Sequence, residues 1–320
     1  MKITSNLFLL TTLLLFTHLS SASAQTQLKF SNFDEWITRN VKESGIIGGA
    51  TKTLYEIGPT GTWDGKKPYV NQGGSPWASS NVMAKVAGIV KTNISVYPEE
   101  HDGGKCVKLV SHIEGVKVLG IINIHVLAAG SIYLGKMFEP ITSSSNPFAK
   151  LDYGIPFTDR PRAIQFDYKV KLSDKPDRIR QTGFSRVKTI PGKDYPGMIL
   201  MLQRRWEDEN GNILAHRVGT LIQRFTKNTE WINGATFDIH YGDISSAPFF
   251  QSHMNLSQEG ESQKYALNSK GKVVPIKEVA WGTPDEQPTH LCLQFASSFG
   301  TAYVGAIGTT LWLDNIHFVY

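Results

Sequence analysis

Between Ala163 and Leu172 the chain alternates with a period of two. Ile164, Phe166, Tyr168, Val170 and Leu172 fall on one side, and Gln165, Asp167, Lys169 and Lys171 on the other. Successive side chains of an extended strand point to opposite faces, so this is a strand with one apolar and one wet side. In a second run Met198, Leu200 and Leu202 oppose Ile199, Met201, Gln203 and Arg205, and both faces begin apolar and become polar. A third run follows the turn sequence Glu209-Asn210-Gly211-Asn212 and continues through Ile213 and Leu214 to Phe225, which makes the two runs a hairpin. Phe237, Ile239 and Tyr241 alternate with Asp238 and His240, and Leu291, Leu293 and Phe295 with Cys292 and Gln294. The chain closes on a strand from Leu311 to Tyr320.

Many short amphipathic strands must bury their apolar sides against one another. The common solution is two antiparallel sheets packed face to face. With 29 Gly and 15 Pro spread along the chain and no long helical periodicity, the expected class is all-β, an antiparallel two-sheet sandwich of the jelly-roll type. The terminal strand is expected inside one of the sheets.

Residues 1–24 carry Lys2, an apolar run from Leu7 to Phe16 and the small residues Ala22-Ser23-Ala24, the pattern of an export leader. Gln25, Thr26 and Gln27 follow, without the Cys that lipid anchoring of a bacterial lipoprotein requires. The expected location is therefore secreted, periplasmic or at the cell surface. No later stretch approaches the roughly 20 apolar residues of a membrane helix, so no membrane insertion is expected. Residues 25–320 read as a single domain with an elaborated N-terminal half. The polar stretch 142–147 serves equally as a boundary or as a surface loop.

The formal charge of +5 becomes +4 once Lys2 leaves with the leader, a weak balance that argues against nucleic acid as a partner. The basic residues between Arg160 and Arg205 are interrupted by acidic ones. Only Cys106 and Cys292 are present. Two distant cysteines make neither a disulfide framework nor a zinc spacing, and the sequence leaves a single bridge and two buried thiols both open.

Several segments carry a family resemblance. They are Gly73 to Val86 (GGSPWASSNVMAKV), Ala128 to Gly135 (AAGSIYLG), Tyr153 to Pro161 (YGIPFTDRP) with the strand Phe166-Asp167-Tyr168-Lys169, and the closing Leu313-Asp314-Asn315-Ile316. Together they resemble the Putative carbohydrate metabolism domain family of exported bacterial proteins, across essentially the whole mature chain. The resemblance implies a β jelly roll similar to galactose-binding and carbohydrate-binding modules, with a sugar-related role. It brings no catalytic set to carry over by position.

Sugar recognition needs flat apolar surfaces against pyranose C–H faces and planar polar groups for the hydroxyls. Trp63, Tyr69 and Trp77 lie in or beside the Gly- and Pro-rich segment 58–76, where a loop tip would display them. Trp206 stands where a strand enters a turn, beside Arg205, and Trp281 opens the loop-like Trp281-Gly282-Thr283-Pro284-Asp285-Glu286. These six residues are the candidate carbohydrate contacts, each set against a core role. A glycosidase would need two carboxyls roughly 5–10 Å apart. Asp167 and Asp238, on polar strand faces, are the candidates, with Glu207 and Asp208 in a turn. The nine histidines include no H-x-H or H-E-x-x-H, which argues against a transition-metal site. A structural calcium at Asp314 is the remaining metal candidate, set against a strand-end role, and no cofactor is otherwise expected.

Three readings follow. The first is an exported carbohydrate-binding protein that recognises poly- or oligosaccharide in a groove of the sandwich. The second is a glycoside hydrolase or lyase using a carboxylate pair on the same face. The third is a structural or adhesive module that binds protein.

Overall fold

The computed structural model describes residues 24–86, 88–118, 122–142, 146–183, 186–257 and 263–320. Apart from Ala24, the leader lies outside the described residues, as do positions 143–145 of the polar stretch. The chain is an all-β sandwich, as its alternation predicts. The smaller sheet runs in the order Thr229–Asp238, Ala163–Lys171, Thr310–Val319, Gly104–Val110 and Val96–His101, with Gln25–Thr26 added beside the C-terminal strand. The larger runs Leu151–Tyr153, Ser131–Met137, His290–Ala296, Gly197–Glu207, Ile213–Arg224, Val273–Trp281 and Lys264–Leu267.

The greasy faces meet as expected. Ile164, Phe166 and Val170 join Leu311, Leu313, Ile316 and Phe318 from the smaller sheet against Met198, Leu200, Leu202, Leu291, Leu293 and Phe295 from the larger. Phe166 stacks on Phe237 at 5.1 Å and meets Phe295 edge-on at 5.1 Å. Each such buried side chain contributes on the order of 1.5–3 kcal/mol. The same core takes in Phe33, Trp36, Ile57, Trp77 and Leu134, so residues on both sides of 142–147 share it. Trp36–Lys42, between Thr51–Ile57 and Gly61–Trp63, forms a small separate sheet at the N-terminal end. The hairpin Gly197–Glu207 to Ile213–Arg224 turns on Gly211 at φ 85°. Asp208 closes that turn by accepting the N–H groups of Asn210 and Asn212.

Two features go beyond the alternation. Ile213–Arg224 pairs in parallel with Val273–Trp281, while its neighbours are antiparallel. The larger sheet also curls until its two ends meet. Leu267 donates its N–H to Asp152 at 2.9 Å, and Asn146 reaches the Tyr265 hydroxyl at 2.8 Å. Register shifts at Leu202/Gln203 and Ala215/His216 sharpen the curl, since each bulge bends its strand. Cys106 and Cys292 are buried free thiols, which resolves the open alternative against a bridge. No described helix is long and apolar enough to cross a membrane.

Candidate functional site

The curl gives the larger sheet a concave face opposite its core face. Leu200, Leu202 and Leu221 point into the core, so their alternates Met201, Gln203, Arg205 and Thr220 point into the curl. Register carries this face across the strands: Gln203 lies opposite Arg217, and Arg217 beside Trp281. Arg205 lies opposite Ala215, beside Glu278, while Met201 pairs with Cys292 and Ile199 with Gln294. Lys264 completes the row on the far strand.

A buried ion pair forms the floor. Arg217 donates from Nε and Nη2 to the two oxygens of Glu278, and the side chains are 1% and 0% exposed. The Gln203 side-chain amide and the Ser257 backbone N–H also donate to that carboxylate. Burial alone would raise the Glu278 carboxyl, but Arg217, Ser257 and Gln203 hold it below its ordinary range. Trp281 lies 5.5 Å from the Arg217 guanidinium carbon. Among the described residues, Arg217 Nη1 is buried with no hydrogen-bond partner.

Around this floor stand groups that reach solvent in part. Arg205 Nε donates to Gln203 Oε1 at 2.8 Å and Nη2 contacts Cys292 Sγ at 2.7 Å. Burial pushes the Cys292 thiol up, so it meets the guanidinium as a neutral group. Lys264 Nζ donates to Gln294 Oε1 at 3.1 Å and sits 4.9 Å from the Tyr153 ring. Burial pulls its ammonium down to about 8. His290 is pulled down to about 4 by burial and by Arg205, so it is neutral near pH 7. Its Nδ1 lies 2.8 Å from Thr289 Oγ1. Gly154, at φ 94°, lets the chain pass close by: a Cβ there would lie 2.8 Å from Arg205 Nη2 and 3.1 Å from Cys292 Sγ. Planar donors, an ammonium and an indole thus line one concave face, whose middle is packed by Tyr133, Leu151, Tyr153, Met201 and Cys292, and they bring the chemistry that hydroxyl and C–H recognition requires.

Of the candidates read from the sequence, Arg205 and Trp281 come together here. Trp206 belongs to the opposite parity of its strand; it meets His216 edge-on at 5.0 Å and lies under Arg204 at 5.7 Å. Tyr69 and Trp77 are not displayed on a loop tip. Tyr69 is 7% exposed against Arg39, with Trp63 edge-on at 5.8 Å. Trp77 is 1% exposed, and its ring N–H donates to Ser31 Oγ at 3.1 Å. The physical reason is Asn71, whose side-chain amide donates to the carbonyls of Ser75, Trp77 and Gly135 and folds the Gly/Pro-rich segment onto the body.

Asp167 and Asp238 lie on the outer face of the smaller sheet. Asp167 accepts from Gly234 N–H at 2.6 Å and Asn315 Nδ2 at 2.9 Å. Asp238 is exposed, 3.6 Å from Arg162. Asp238 pairs with Ala163, four residues from Asp167, which sets the two about 13 Å apart along the strand. That exceeds the spacing of a hydrolytic pair, and the register does not bring them together. Glu207 accepts from the Ser269 N–H and hydroxyl. Asp314 takes His101 Nδ1 at 2.8 Å on one oxygen and the Asn315 N–H at 2.8 Å on the other. Among the described residues no group of three or more His, Cys, Asp or Glu gathers as a metal set. Arg217, Glu278, Lys264, Tyr153 and His290 are not marked as site residues by the sequence alone. The available signal was the polar turn taken by the faces of otherwise apolar strands.

The model of the Putative carbohydrate metabolism domain family matches residues 53–232, more than half the chain, and the chain belongs to that family. The matched span includes Gln203, Arg205 and Arg217 and stops before Lys264, Glu278 and Trp281. Among solved structures, the crystal structure of a putative glycoside hydrolase from Bacteroides thetaiotaomicron VPI-5482 is similar at 18% identity and a TM-score of 0.42, over 85% of this chain and 76% of that one. No curated protein sequence matches.

Proposed function

We propose that the protein is an exported carbohydrate-binding protein that holds poly- or oligosaccharide on the concave face of its curled sheet without a cofactor. The observation that carries this reading is the convergence of half-buried Arg205, Lys264, His290 and Trp281 around the buried Arg217–Glu278 floor. Fixed donors on a rigid sheet lose little entropy on binding. Membership of a carbohydrate-metabolism family supports the same chemistry.

Retaining or inverting hydrolysis needs two carboxyls, one of them raised. Among the described residues, the hydrogen-bond network of the floor contains one carboxylate, Glu278, held low and paired to Arg217. This favours binding over hydrolysis. A lyase reading has one observation in its favour: Lys264, pulled down to about 8 beside Tyr153, is in the range of a general base.

A glycan-array screen of the mature protein, run beside assays for reducing-sugar release and for unsaturated product, tests the proposal. Binding without release is the expected outcome. Release of either product assigns an enzyme, and silence in all three overturns the carbohydrate reading.

A further inference from the structure

The far end of the concave face carries a second, under-neutralised group of cations. Leu221 and Phe225 point into the core, so Arg224 points into the curl, opposite Gly197. A Cβ on Gly197 would collide with the Phe299 ring, which places that ring on the concave side as well. The Arg224 guanidinium carbon lies 4.1 Å from the Phe299 centroid, and His253 meets the same ring edge-on at 5.3 Å. Burial, and after it the charge of Arg178, lowers the Arg224 guanidinium.

Among the described residues, each cation keeps an unpaired donor: Nε of Arg224 and Nε of Arg178 are buried with no hydrogen-bond partner. Arg178 Nη2 donates to the Pro191 carbonyl at 3.2 Å. Asp194, the acid that Arg178 influences, is already held by Ser298 Oγ at 2.9 Å and Ala306 N–H at 2.8 Å. A buried donor left unpaired on a charged group is costly. An anion that accepted from the Nη groups of both guanidiniums would neutralise the pair, and the planar fork of arginine fits a carboxylate or sulfate. The near end leans the same way: among the described residues, Arg205 and Arg217 share a hydrogen-bond network whose one carboxylate is Glu278.

We infer that the glycan is anionic, with a carboxylate or sulfate of one sugar seated between Arg224 and Arg178 against Phe299, about 26 Å along the strand from Arg205. This rests on the concave face being the carbohydrate site.

Affinity electrophoresis of the mature chain through gels holding polygalacturonate, a sulfated galactan or neutral dextran tests it, with the first two separating carboxylate from sulfate. The expected result is retardation by one polyanion exceeding that by dextran. Arg224→Gln and Arg178→Gln should each weaken it by about tenfold, as loss of a charge-assisted contact does, while Lys52→Gln, an exposed cation on the N-terminal sheet, leaves it unchanged. A thermal melt of each variant checks its fold, and the two variants serve as independent readings. Retardation by dextran alone overturns the inference and leaves the binding proposal standing. Polyanion retardation that Lys52→Gln reduces as much as the arginine variants do overturns it as general charge attraction. No retardation in any gel removes the binding proposal and this inference together.

Discussion

Arg217 and Glu278 close a two-pronged ion pair across the parallel strands of the curled sheet, both shut away from solvent. Two charges taken out of water gain little net stability even when well paired, but removing one partner leaves the other buried and uncompensated. Glu278→Ala is expected to lower unfolding stability by about 3–5 kcal/mol in denaturant titrations. Adding Arg217→Met should recover most of the loss, and a single-variant loss near zero would contradict the role given to the floor.

A second buried guanidinium gives a pH dependence. Arg39 meets Glu56 at 2.8 Å and Glu139 at 2.6 Å, with all three side chains buried. Burial raises Glu56 to about 8, against the pull of Arg39 and with the help of Glu139. The folded chain therefore keeps a proton that the unfolded chain releases near its ordinary value of 4.5. The stabilisation is complete below that value and is lost as pH rises through about 8, with a slope of up to about 1.4 kcal/mol per pH unit. Denaturant melts across this range should show the decline, and Glu56→Gln should flatten it.

Lys264 offers a direct reading of the concave environment. Its ammonium, buried beside the Tyr153 ring, should titrate near 8. NMR of the chain with isotopically methylated lysines should show one resonance moving with that midpoint and disappearing in Lys264→Met. A set of lysines that all titrate above pH 10 would place Lys264 in water.

Gly154 holds space for Arg205. With φ at 94° and a Cβ position 2.8 Å from Nη2, Gly154→Ala meets both backbone strain and a clash. The expected cost is about 1–3 kcal/mol, with weakened glycan binding because the guanidinium must move. Thermal melts and titration calorimetry with a bound glycan check the two effects. Unchanged binding in a folded variant would separate Arg205 from the site.

The strands were legible because alternation is local: Ile164 to Leu172 declares its two faces without help from the rest of the chain. Arg205 and Trp281 were legible as candidates because Trp and Arg beside turns suit ligand contact. The floor was not legible, because Arg217, Glu278 and Lys264 come from separate strands that only the curl and the parallel pairing bring side by side. Tyr69 and Trp77 look displayed because Gly and Pro surround them. Whether such a segment stands out or folds back depends on Asn71, which joins the nearby carbonyls of Ser75 and Trp77 to that of Gly135, 64 residues away, a contact no local pattern reveals. Asp167 and Asp238 share a wet face, but pairing register, which alternation does not encode, keeps them apart.

Crystals of the protein with an oligosaccharide identified on the array test the central claim most directly. The account predicts sugar density inside the curl, with Arg205 on its hydroxyls and Trp281 against a ring face. Density instead on the outer face of the smaller sheet, where Trp231 stacks on His101 at 3.6 Å, with the curl empty, would contradict it.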